Sequence, residues 1–144
     1  MKNAVLTFAL LALAAPAWAQ VQQPGSHFIE NWDLDGDGVV SLEDITTRRG
    51  DVFLTFDYDE DGALDAEEYA FFDEARENDM KNNGGHGTGN AMRRVSEGMT
   101  LVFNDTDGNG EVSQEEFIAH AGDWMAMLDR NGDGSVTSND FGRQ

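Results

Sequence analysis

The chain has 144 residues, no cysteine, and 28 acidic against nine basic side chains, for a formal net charge of −19. That balance excludes a nucleic-acid partner, whose phosphates would be repelled. The missing cysteines exclude disulfides as a source of stability, and the length allows one small domain or two half-size lobes.

In chain order, residues 1–19 read as a secretory signal peptide. Lys2 supplies a basic start, Ala4–Ala15 is a twelve-residue apolar run, Pro16 breaks it, and Ala17-Trp18-Ala19 fits small-x-small cleavage. A membrane anchor would need about 20 apolar residues. The expected product is periplasmic or secreted, begins near Gln20, and carries no membrane segment after cleavage.

Four twelve-residue windows then follow one template. They are 33–44 (DLDGDGVVSLED), 57–68 (DYDEDGALDAEE), 105–116 (DTDGNGEVSQEE) and 129–140 (DRNGDGSVTSND). Each has Asp at place 1, an acid or amide at 3 and 5, Gly at 6, an aliphatic at 8 and an acid at 12. The windows hold 20 of the 28 acids and a single base, Arg130, so they carry the entire net charge. Like charges so close repel by about 1 kcal/mol per pair even in water, which implies a counter-charge. This placement excludes an acidic tail and a uniformly acidic surface.

The first and second windows are 24 residues apart, as are the third and fourth, which marks an internal duplication. The connectors 45–56 and 117–128 each carry Gly then Asp (Gly50-Asp51, Gly122-Asp123), which predicts two short helices in each. Residues 81–91 read as a Gly/Asn-rich linker. A fifth window starting at Asp79 would be disabled by Lys81 and His86. Apolar residues flank the windows at helical spacing, as with Phe53 and Phe56. The third departs, with Asn104 just before it.

The template resembles the EF-hand calcium loop, and the resemblance covers nearly all of the chain after residue 19. It implies an all-α fold of helix-loop-helix units and calcium ligands at places 1, 3, 5, 7, 9 and 12, with place 7 acting through its carbonyl. In the first loop these are Asp33, Asp35, Asp37, Val39, Ser41 and Asp44. In the second they are Asp57, Asp59, Asp61, Ala63, Asp65 and Glu68. The third supplies Asp105, Asp107, Asn109, Glu111, Ser113 and Glu116, and the fourth Asp129, Asn131, Asp133, Ser135, Thr137 and Asp140. Up to four calcium ions are expected. Glu68 and Glu116 can reach with both oxygens while Asp44 and Asp140 are one methylene shorter, so the sites rank second, third, first, fourth.

The short spacing is also similar to the lanmodulin family, exported EF-hand proteins that bind lanthanide ions. Loop 57–68, with Asp65 at place 9, is nearest to it. Place 2 differs, being Leu34, Tyr58, Thr106 and Arg130 where that family has Pro. A lanthanide ion is therefore expected to fit best at 57–68.

The grouping expected is a pair of loops in residues 20–80, the linker 81–91, and a second pair in 92–144. A straight connector, about 18 Å long, would instead join the second loop to the third and the first to the fourth. The sequence leans toward broken connectors. Trp124, Met125 and Met127 at helical spacing favour core over a partner groove. No nucleophile-base spacing stands out, so an enzyme is not expected. The reading is an exported calcium buffer or calcium-stabilised structural protein. The alternatives are a calcium-dependent adaptor for an unidentified protein, or a lanthanide binder.

Overall fold

The computed structural model describes residues 23–83 and 89–142. The expected signal peptide, 1–19, and residues 84–88 of the expected linker lie outside the described residues. The rest is mostly helical: α1 (Ser26–Trp32), α2 (Leu42–Phe56), α3 (Ala66–Asn83), α4 (Gly89–Glu97), α5 (Leu101–Asn104), α6 (Gln114–Ala119), α7 (Ala121–Leu128) and α8 (Ser138–Phe141). Two short strands, β1 (Ala63–Leu64) and β2 (Val112–Ser113), complete the order.

The first connector is one helix, which corrects the expected break at Gly50. Ser41 and Asp44 form a capping box that starts α2, and the helix runs 15 residues to its C-cap at Asp57. Its inward face, Ile45, Arg49 and Phe53, is almost fully buried. Burial of that face outweighs the roughly 1 kcal/mol penalty of an interior glycine. The second connector does break, but at His120 between α6 and α7, and Gly122 sits inside α7.

A straight α2 spans about 22 Å, with the first loop at one end and the second at the other. The loops accordingly pair across the halves, which corrects the grouping by half. β1 and β2 run antiparallel with Ala63 opposite Ser113 and Leu64 opposite Val112. The first and fourth loops meet at a bridge, where Val40 N donates to Val136 O (2.9 Å) and Val136 N to Val40 O (3.0 Å). The place-8 residues Val40, Leu64, Val112 and Val136 are all completely buried there.

One cluster of buried residues, running from Phe28 to Phe141, serves both halves. Around the first and fourth loops, Phe28, Trp32, Trp124 and Phe141 pack together, with Trp32 and Trp124 edge to face and their ring centres 4.6 Å apart. Around the other pair, Phe117 meets Phe53 and Phe72, each at 6.0 Å. Trp124 and Met125 are buried, as core side chains. The expected linker is helical at 81–83 and 89–91. Asp79, proposed start of a fifth window, lies in α3 with Oδ1 2.9 Å from His27 Nε2. Among the described residues no helix is long and apolar enough to cross a membrane.

Candidate metal centres

Each loop is built by the same local hydrogen bonds, and the sequence template explains them place by place. The place-1 aspartate turns inward and accepts from the place-6 glycine amide: Gly38 N to Asp33 (2.7 Å), Gly62 N to Asp57 (3.2 Å), Gly110 N to Asp105 (3.0 Å) and Gly134 N to Asp129 (2.8 Å). Place 3 accepts from the amide at 5, as Asp37 N to Asp35 (3.2 Å), and place 5 from the amide at 7, as Val39 N to Asp37 (2.8 Å). In the first two loops the acids at places 3 and 5 accept through Oδ1, which leaves Oδ2 for a cation.

Place 12 closes the ring. Glu116 Oε1 accepts from Thr106 N (3.0 Å), and its Oε2 from Ser113 N (2.9 Å). Glu68 does the same with Tyr58 N (2.7 Å) and Asp65 N (3.1 Å), and Asp44 with Leu34 N (3.3 Å) and Ser41 N (2.9 Å). Asp140 follows with Arg130 N and Thr137 N, both 2.9 Å. The acid at place 12 is also position N3 of the exit helix, and place 9 is its N-cap. Ser41, Ser113 and Thr137 complete capping boxes with it. Asp65 takes the same position, accepting from Glu67 N (2.8 Å) and Glu68 N (2.9 Å). The spacing from place 9 to place 12, Ser/Thr/Asp-x-x-acid, is the sequence signal that could have revealed this.

Carboxylate oxygens converge within 4.8 Å of one another in three loops: Asp33, Asp35 and Asp37; Asp57, Asp59 and Glu68; Asp105, Asp107 and Glu116. Asp44 is outside the first group, consistent with its shorter reach. In the fourth loop Asn131 replaces an acid and donates to Asp133 (2.8 Å), so that loop brings together fewer charges. Asp61, Asn109 and Asp133 hold the turns from place 5. Val39, Ala63, Glu111 and Ser135 occupy place 7, from which a backbone carbonyl would face the ion.

The electrostatics follow the hydrogen bonds. The Gly38 amide holds Asp33 below the ordinary aspartate range, and the Ser113 amide does the same for Glu116. Burial pushes Asp44 up, but bonds from Ser41 and Leu34 outweigh it and leave it lowered. The hydroxyl of Ser135 and the amide of Asn131 lower Asp133. Asp35 ends raised: the Asp37 amide draws it down, while burial and the Asp37 charge push harder the other way.

Loop 57–68 puts a side chain where the other loops have glycine. Place 4 is left-handed throughout, with φ near 72–77° at Gly36, Gly108 and Gly132, yet the second loop has Glu60 there at φ 58°. A side chain in that region costs about 1–2 kcal/mol.

This donor set suits a hard cation: oxygen ligands only, several of them anionic, on a turn of fixed size. Bound there, a calcium ion would neutralise the converging carboxylates and tie each loop to its exit helix. A family model for the EF hand matches residues 50–72, 105–119 and 122–143. No curated protein matches the chain. The three matched regions support an EF-hand calcium-binding family, and with the acidic clusters they support calcium binding. Loop 33–44 lies outside the matched regions, although its hydrogen bonds follow the common scheme.

Proposed function

We propose that the protein is an exported calcium buffer or calcium-stabilised structural protein, without enzymatic activity. The carrying observation is that each place-12 acid both closes its loop and caps the helix leaving it. Ion binding is thereby linked to helix formation within the shared core. The aromatic and Met125 side chains beside the fourth loop are built into that core, which supports a stabilising role over that of an adaptor exposing a groove. Extracellular EF-hand modules often bind calcium at about 10⁻⁴–10⁻³ M, a range suited to an exported protein.

The test is circular dichroism of chelator-treated protein as calcium is added, alongside a hydrophobic dye. Helix content should rise while dye fluorescence stays low. Unchanged dichroism would overturn the proposal, and calcium-dependent dye binding would favour the adaptor. N-terminal sequencing of the exported product should begin near Gln20.

A lanthanide ion is a second reading for loop 57–68. Five acids occupy its ligand places, and Asp65 uses only Oδ1 for the two helix-capping bonds. Titration with lanthanum after calcium separates the two: displacement from this loop first supports the trivalent reading, and no displacement sinks it.

A further inference from the structure

We infer that Arg49 is a positioning residue for the third metal site, gripping both ends of loop 105–116 from a helix in the other half of the chain. The inference rests on the calcium-binding reading of that loop. Arg49 lies mid-way along α2, and its side chain is fully buried. Its Nε donates to Phe117 O (2.6 Å), the residue that follows the closing ligand Glu116. Its Nη2 donates to Asn104 Oδ1, on the residue that precedes the opening ligand Asp105. Nη1 reaches Gly98 O and Met99 Sδ, both at 3.2 Å.

These acceptors have a physical reason to need a cation. Gly98 follows the C-terminus of α4, and Phe117 lies in the last turn of α6, where carbonyls have no partner within their own helix. A positive group there complements the helix dipole. The guanidinium also stacks on the Phe117 ring, 4.2 Å from its centre. Burial lowers the Arg49 pKa to about 10, which leaves it charged at neutral pH.

Among the described residues none of its bonds goes to a carboxylate, in a chain with 28 acids. The fork is spent on two backbone carbonyls and two uncharged side chains that frame one loop. Tyr69, the residue after Glu68, joins the same network: its hydroxyl donates to Met99 O (2.9 Å) and accepts from Asn104 Nδ2 (3.3 Å). A planar fork fixes two distant acceptors in one geometry, which a single ammonium cannot do.

The test follows the backbone amide signals of Gly38, Gly62, Gly110 and Gly134 by NMR as calcium is added, one reporter for each loop. Arg49→Met should weaken calcium at Gly110 at least tenfold, with at least fivefold less effect at Gly38 and Gly134. Tyr69→Phe keeps the buried ring and should give the same selectivity at a few-fold size. It decides the matter should Arg49→Met not fold. Before calcium is added, the Asn104 side-chain amide signals should move in both variants. Equal weakening at all four loops, or none at Gly110, would overturn the assignment. Failure of all four signals to respond in the unmutated protein would instead overturn calcium binding itself.

Discussion

Val40 and Val136 exchange two backbone hydrogen bonds, at 2.9 and 3.0 Å, and so join the first loop to the fourth rather than to its neighbour in sequence. The pair lies at one end of α2, and the pairing of Leu64 with Val112 lies at the other. Calcium reaching one loop should therefore order its partner across the halves. Asp140→Ala, which opens the fourth loop, should weaken calcium at 33–44 several-fold and leave 57–68 within about twofold. Glycine amide signals resolve the loops, and greater loss at 57–68 would contradict the pairing.

Gly50 lies inside a helix with φ in the ordinary range, and an added Cβ would meet only Ile118 Cδ1 at 3.9 Å. Gly50→Ala should stabilise the protein by about 0.5–1 kcal/mol. Thermal melts in chelator check this, and a lower midpoint would mean that α2 is bent there.

Glu60 holds a left-handed conformation and is not a ligand. Glu60→Gly should remove about 1 kcal/mol of strain and one repelling charge, so the metal-free form should melt higher. No change would show that the turn relaxes without cost.

Glu116 is held below its ordinary value by amides of its own loop. A depressed pKa contributes stability above the unfolded value, and that contribution is lost as pH falls through the folded one. The stability difference between the wild type and Glu116→Gln in chelator should therefore shrink as pH drops from about 4.5. Denaturant titrations at several pH values measure it, and a constant difference would contradict the assignment.

The loops were legible in the sequence because every place in them is fixed by local backbone chemistry. Asp33 needs Gly38 five residues on, and Ser41 needs Asp44 three residues on, with no help from elsewhere. The pairing was not legible. Gly50 and Asp51 carry a genuine helix-ending signal, overridden by burial of Ile45, Arg49 and Phe53 against the other half. Arg49 itself left a trace, since it stands four residues from both Ile45 and Phe53 and so on the inward face. Asn104 left another: it occupies the place where Trp32, Phe56 and Leu128 precede the other loops. Only the three-dimensional contact shows that these two departures answer each other.

Calorimetric titration of the chelated protein with calcium tests the central claim most directly. Saturable binding of more than two ions is expected, with at least two distinguishable affinities. The tighter binding should be lost in Glu68→Gln together with Glu116→Gln. Heats no different from dilution, or tighter binding that survives both substitutions, would contradict the assignment of these loops as calcium sites.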